Sequence, residues 1–279
     1  MNLDPILFLQ PARVVDPDSW VGHIAFAHYL VKLIRPRLIV ELGAHSGNSA
    51  SAFAHAQTYL DIEGQTHAID SWEGDSQATF YGGHIYEDFL EFSRLNFNGR
   101  LILKKGYFQD KLADYDDESI NLVHIDGCHS YDNVKADYES WLPKLAPNGV
   151  MLFHDTTVTQ NAFGVHRYWS EIAPEFPHFE LPDSHGLGVL MPKGVANAQL
   201  QEFADNGLPS ELLYFLSMRR TELMNYIATN RQAEIILKKL GPDLERPLSG
   251  QIDKASDRLF DMIKAHGENK NWIQKLLKL

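Results

Sequence analysis

Cysteine is nearly missing from this chain. Cys128 stands alone among 279 residues, which excludes an intramolecular disulfide framework and fits a reducing, cytoplasmic compartment. Long apolar runs are missing too. Stretches such as 38–40 and 150–153 fall far short of the roughly 20 residues that span a bilayer, so no transmembrane segment is expected. Met1-Asn2-Leu3-Asp4-Pro5 lacks a basic region followed by an apolar core, so it does not read as a signal peptide. Positive charge is scarce: 25 Lys and Arg face 37 Asp and Glu, a formal net charge of −12. That argues against nucleic acid as a partner, because phosphate binding needs basic patches. What remains is ordinary for a globular protein, 44% hydrophobic and 22% charged, and this excludes wholesale disorder.

The acidity is unevenly spread. Residues 1–195 hold 13 Lys and Arg against 26 Asp and Glu, while residues 196–279 hold 12 against 11; 12 of the 13 histidines also precede residue 195. The split predicts a chemical domain over 1–195 and a helical appendage over 196–279.

Within 1–195, apolar residues recur at helical spacing over 20–34, and Arg35-Pro36 should end that helix. Leu38-Ile39-Val40-Glu41-Leu42 reads as a buried strand. Further strands are expected at 66–69, 101–103, 121–125, 150–153 and 187–191. Helices are expected at 49–60, 87–95, 134–145 (closed by Pro147-Asn148-Gly149) and 165–172. This alternation predicts a doubly wound, parallel α/β sheet, in which ligands sit at the carboxyl ends of strands. Glu41, Asp70, Asp126 and Asp155 all fall at such ends.

Beyond Pro192 the pattern turns helical. Leu216, Leu223, Asn230 and Leu237 are seven apart, with Leu212, Tyr226, Ala233 and Leu240 as companions and Arg219 interrupting. This is either a coiled-coil seam that would build a homo-oligomer or a helix packed on its own domain. A second amphipathic helix is expected near 251–265. The end, 272–279, is apolar and mildly basic: a protein-docking helix, a membrane-surface segment, or the start of a longer chain.

Gly43-Ala44-His45-Ser46-Gly47 follows the first strand and opens a helix. Its Gly-x-x-x-Gly spacing is neither the dinucleotide nor the phosphate-loop pattern, and no lysine follows. An acid beside such a loop suits a ligand with an amino group. Asp70, at the next strand end, can accept two ribose hydroxyls.

Ile39-Val40-Glu41-Leu42-Gly43-Ala44-His45-Ser46-Gly47 resembles the first motif of class I S-adenosylmethionine-dependent methyltransferases. Four further segments resemble the small-molecule O-methyltransferases of polysaccharide and macrolide pathways: Ile69-Asp70-Ser71-Trp72-Glu73-Gly74-Asp75, His124-Ile125-Asp126-Gly127-Cys128-His129-Ser130-Tyr131, Gly149-Val150-Met151-Leu152-Phe153-His154-Asp155-Thr156 and Gly186-Leu187-Gly188-Val189. The resemblance covers about residues 20–192.

It implies a Rossmann-like methyltransferase sheet and S-adenosylmethionine as cofactor. Glu41, Gly43, Ala44, Gly47, Asn48 and Ser49 would line its methionine part. Asp70 and Ser71 would hold the ribose, Trp72 and Tyr107 would cover the adenine, and Asp126 would border both cofactor and catalytic site. His129 would be the general base, with Asp126, His154 and Asp155 holding a divalent cation, Mg or Mn. The acceptor would be a hydroxyl of a saccharide or other small molecule. The chemistry agrees: a histidine can remove the hydroxyl proton, and a carboxylate-bound cation lowers that hydroxyl's pKa.

Two residues depart from the group. His154 stands where relatives carry an acid, which points to a softer metal, a hydrogen-bonding role, or no metal. Cys128 also replaces a common acid.

Plainer roles stand beside these. His129 could cap the turn before Asp132, and Asp155 could cap its own βα turn. His45, His84 and His185 read as surface or substrate-loop residues, Trp141 as core, and Tyr81-Gly82-Gly83-His84 as a lid or a simple connection. A facial triad of His124, Asp126 and a later histidine belongs on a jelly roll, not on this pattern. The rival from another class is a catalytically inactive methyltransferase-like scaffold.

Overall fold

The structure is a computed structural model that describes residues 3–75, 79–80, 82–160 and 162–240. A 3-10 turn at Val21–His23 leads into α1 (Ile24–Ile34), which ends as Arg35 turns left-handed at φ 44° ahead of Pro36. Then follow β1 (Leu38–Leu42), α2 (Asn48–Tyr59), β2 (Gln65–Asp70), a small hairpin of β3 (Gly74–Asp75) and β4 (Thr79–Phe80), α3 (His84–Phe97), β5 (Leu101–Lys105) and β6 (Ile120–Ile125). After these come α4 (Tyr131–Trp141), β7 (Leu145–His154), α5 (Val165–Ile172), β8 (His178–Leu181), β9 (Leu187–Leu190), α6 (Ala198–Asn206) and α7 (Ser210–Leu240).

The main sheet has seven strands in the order β5-β2-β1-β6-β7-β9-β8. It is the Rossmann-like sheet expected from the sequence, with one correction: the sheet is mixed. The β1–β2, β1–β6, β2–β5 and β6–β7 pairs are parallel, but β9 runs antiparallel to both β7 and β8. The link from β8 to β9 spans only 182–186, too short for the crossover that a parallel neighbour requires. Strand β8 was not foreseen; it alternates buried and exposed residues over only four positions.

Residues 145–149 also differ from expectation. Pro143 stops α4 at Trp141, and Leu145 already pairs with Ile120. The register then shifts before Val150 pairs with Leu122, with exposed Pro147 and Asn148 in the intervening bulge.

Period-2 alternation sorts side chains between two helical layers. Ile39 of β1, Leu122 of β6 and Leu152 of β7 share a core with α1 and α2, which includes Phe26, Leu30 and Phe53. Val40, Leu42, Val123, Ile125 and Phe153 face α4 and α5, where Trp141, Tyr138 and Trp169 fill the second core. Fully burying each such large side chain contributes about 1.5–3 kcal/mol. Trp141 is core, as expected.

The alternation places Glu41, His124 and His154 on the α1–α2 side, past the last apolar row. Leu212, Leu216, Leu223 and Ile227 of α7 are buried in the first core with Leu200 and Phe203 of α6. Arg219 lies among them, bonded to Glu222 at 2.5 Å and the Leu9 carbonyl at 3.4 Å, whereas Tyr226 is half exposed.

One compact unit runs as far as residue 227, past the charge boundary at 195. The expected helix at 251–265 and the 272–279 tail lie outside the described residues. Among the described residues, no helix is long and apolar enough to cross a membrane.

Candidate active site

The glycine loop joins β1 to α2 at the carboxyl edge of the sheet. Gly43 has φ +91°, and a Cβ there would lie 2.1 Å from the Asp126 carbonyl oxygen. Gly47 has φ +86°, and a Cβ there would lie 2.2 Å from the Phe89 ring. Both positions therefore require glycine, one for the close approach of two backbones and one for the turn into α2.

Asp70 ties this loop to β2. Its Oδ2 accepts from the Ala44 and His45 amides at 3.0 and 2.9 Å, and its Oδ1 accepts from the Trp72 amide at 2.7 Å. Trp72 is buried at φ 52°, donates its indole N–H to the His45 carbonyl at 2.9 Å, and packs on Tyr86. Ser71 is half-buried, and its hydroxyl accepts from the Glu73 amide at 3.2 Å. Tyr107 is exposed, and its hydroxyl donates to Glu73 at 3.1 Å.

An N-terminal strap crosses the loop. Arg13 donates to the Ser46 carbonyl at 2.6 Å, pairs with Asp88, and lies over the Phe92 ring. The Asn48 amide is spent on the same strap: it accepts from the Val15 N–H at 3.0 Å and donates to the Val15 and Pro17 carbonyls at 2.7 and 3.0 Å. The strap then delivers Trp20, whose indole donates to His124 Nε2 at 3.2 Å. That acceptor role puts the hydrogen of a neutral His124 on Nδ1, which donates to Glu41 Oε1 at 2.8 Å. Both ring nitrogens are thereby used, which removes His124 as a metal ligand. Glu41 is fully buried; the Ser49 hydroxyl is also drawn to its carboxylate, and among the described residues its Oε2 has no well-formed hydrogen bond. Burial pushes its pKa up, against the pull of His124. Ser49 is buried in the first turn of α2.

The ends of β6 and β7 bring the predicted catalytic residues together. His129 Nε2 lies 2.9 Å from Asp155 Oδ2 and 3.7 Å from Asp126 Oδ1. His154 Nδ1 lies 3.1 Å from Asp126 Oδ1 and 3.4 Å from Asp155 Oδ2. One ligand atom from each of Asp126, His154 and Asp155 falls within 4.8 Å of the others, which makes the trio a candidate cation site. Burial alone would lower His129, but its contacts with Asp126 and Asp155 outweigh burial and hold it at about 10. The same contest leaves His154 well above the usual imidazole range. Burial would raise both acids, yet the histidines hold Asp126 and Asp155 far below the carboxylate range.

Three contributors were not foreseen. His185 Nδ1 lies 3.1 Å from Asp155 Oδ1. Its sequence signal was position, directly before the Gly186-Leu187-Gly188-Val189 motif. The Ser184 carbonyl accepts from Nε2 of both His154 and His23, each at 3.0 Å, a backbone role that no residue type announces. Phe163 stacks on His129 at 4.4 Å and 13°. Asp155, Ser184, His185 and Gly186 all have positive φ, from 50° to 88°. Such strain clusters where a site needs it.

The chain is similar to an uncharacterized protein, y4gI, of Sinorhizobium fredii (strain NBRC 101917 / NGR234), with 44% identity over 198 residues. That alignment takes in 68% of this chain and 21% of the relative, so the chain spans about a fifth of that protein's length. Solved structures similar to it include a methyltransferase from Geobacter sulfurreducens, at 18% identity and TM-score 0.47, over 63% of this chain and 80% of that one. Another is the O-methyltransferase from Bacillus cereus in complex with SAH, at 20% identity and TM-score 0.46, over 65% and 84%. A family model described as a methyltransferase domain matches residues 40–156, the segment that runs from the glycine loop through Asp126 and His129 to Asp155.

Proposed function

We propose that the chain is an S-adenosylmethionine-dependent O-methyltransferase that acts on a hydroxyl of a sugar or other small molecule. The observation that carries this reading is His129, held between the Asp126 and Asp155 carboxylates at the strand edge that also presents the glycine loop. The residues fit the cofactor: Glu41 keeps a buried carboxylate oxygen with no hydrogen bond among the described residues, which suits an ammonium group, and Gly43 lets the loop backbone close on the Asp126 peptide at the end of β6. The cofactor supplies a methyl group on a sulfonium, and methyl transfer to oxygen is an in-line displacement that depends on alignment. Asp70, by clamping the Ala44 and His45 amides, holds the loop in place for that alignment.

His129 takes the proton from the acceptor hydroxyl at Nε2 as the oxygen gains its methyl group. In the structure two carboxylates face that nitrogen and raise the ring to about 10, so the base is the ring's neutral form and turnover should rise with pH toward that value. Asp126, His154 and Asp155 fit a divalent cation, which would offset the carboxylate charge and polarise the acceptor oxygen. Phe163, stacked on His129, fixes the plane of the ring.

Titration calorimetry with S-adenosylmethionine, with and without EDTA and added Mn²⁺ or Mg²⁺, tests the reading. Cofactor binding is expected. No binding at millimolar cofactor refutes the enzyme, whereas binding and activity indifferent to chelation refute only the metal. His129→Ala should lower turnover roughly 10²–10⁴-fold and leave cofactor binding intact.

A further inference from the structure

His154 is the ring where this chain departs from the pattern it otherwise resembles, and its surroundings fix what it can do. Its Nε2 lies 3.0 Å from the Ser184 carbonyl, which can only accept, so Nε2 carries a hydrogen. The other nitrogen, Nδ1, is the atom turned to Asp126 Oδ1 and Asp155 Oδ2. In the neutral ring Nδ1 offers a lone pair, so three electron-rich atoms converge within 4.8 Å. Without an ion, the proton on Nδ1 lies between them, the nitrogen being 3.1 Å from Asp126 Oδ1 and 3.4 Å from Asp155 Oδ2; a bound cation would take its place and release it.

The aim of the ring is enforced from behind. Ser184 (φ 50°), His185 (φ 71°) and Gly186 (φ 88°) are left-handed in succession, and this turns the Ser184 carbonyl toward the rings. His23 donates to the same carbonyl at 3.0 Å and stands edge-on to His154 at 5.5 Å. Asp155 is oriented in turn, with His185 on Oδ1 at 3.1 Å and His129 on Oδ2 at 2.9 Å. An imidazole anchored through its outer N–H to a carbonyl, beside a carboxylate that is itself hydrogen-bonded, is how proteins orient metal ligands.

We propose that this cluster takes a first-row transition ion, of the manganese, cobalt or zinc class, in preference to magnesium, and that His154 sets the preference. Magnesium wants an all-oxygen octahedron and keeps its waters, whereas an imidazole nitrogen suits the later ions. The inference rests on the methyltransferase reading for the purpose of the ion, not for its identity.

The experiment is a Co²⁺ titration of the full chain, stripped with EDTA and dialysed, without cofactor or acceptor. Visible absorption reports binding, and Mn²⁺ or Mg²⁺ is added as competitor. Mn²⁺ should displace Co²⁺ at a concentration lower than Mg²⁺ by on the order of 100-fold, the upper size of effect that ligand-sphere changes produce. In His154→Asp that gap should close to about tenfold or less. Should His154→Asp fail to fold, His154→Gln, which offers an amide of similar reach, should weaken Co²⁺ binding at least about tenfold. Equal displacement by Mg²⁺ and Mn²⁺, no Co²⁺ binding at all, or His154 variants that bind as the parent does would each overturn the proposal. S-adenosylhomocysteine binding on the same preparation separates the failures. If it binds and the ion preference is absent, only this inference falls; if it does not bind, the methyltransferase reading falls.

Discussion

Gly43→Ala puts the central contact of the site to a quantitative test, because Gly99→Ala supplies a matched control. Both glycines are left-handed, at φ +91° and +78°. An alanine in that region costs roughly 1–2 kcal/mol through its own Cβ. At Gly99 nothing lies within 4 Å of the added carbon, so that cost is the whole effect. At Gly43 the added carbon would sit 2.1 Å from the Asp126 carbonyl oxygen and 2.6 Å from its carbon. These are backbone atoms with no rotamer to escape through, so the ends of β1 and β6 must separate. Overpacking of this kind adds about 1–3 kcal/mol, which puts Gly43→Ala at roughly 2–5 kcal/mol. The displaced peptide is that of Asp126, so cofactor affinity should fall as well. Urea unfolding of both variants, with calorimetric titration of S-adenosylhomocysteine, measures the two effects. If Gly43→Ala costs no more than Gly99→Ala and binds the cofactor product unchanged, the close approach of loop and strand is not what the site depends on.

The remaining predictions concern charge and the strap. His129 is raised from 6.5 to about 10 in the folded protein, so the stability it contributes is complete below pH 6.5 and is lost as pH rises through 10. Urea midpoints measured across that window should fall less steeply in His129→Gln than in the parent, and identical slopes would show that the ring is not held charged. Asp137 is raised to about 7 by burial, against a hydrogen bond from Gln109. Its folded state favours the neutral acid, so stability drops as pH rises from 3.8 through 7. Asp137→Asn keeps an acceptor for Gln109 and should be more stable than the parent above pH 7 by at least about 1 kcal/mol; a less stable variant at that pH contradicts this. Asn48→Ala removes three hydrogen bonds to the strap. It should cost roughly 2 kcal/mol and speed tryptic cleavage after Arg13, and an unchanged cleavage rate would mean that the strap is held elsewhere.

What was legible in the sequence follows from how local each signal is. The run Leu38-Ile39-Val40-Glu41-Leu42 announces a strand because buried parallel strands need neighbours on both faces. The acids at strand ends announce a shared edge because topology puts all those ends on one side. Neither signal says how a polar side chain spends its hydrogen bonds. Asn48 reads as a ligand-lining residue, yet its amide is committed to Val15 and Pro17, an encounter between segments more than thirty residues apart. Asp70 reads as a ribose acceptor, and it also fastens three backbone amides. His185 reads as a loop residue because its partner Asp155 lies 30 positions away and only the antiparallel return of β9 joins them. That return is the feature the alternation of strands and helices cannot encode, since a short hairpin and a long crossover leave the same strand pattern. The mixed edge of the sheet and the third ring on Asp155 were thus missed for one reason: the five-residue link at 182–186 reverses the chain between β8 and β9 and carries Ser184 and His185 into the catalytic cluster.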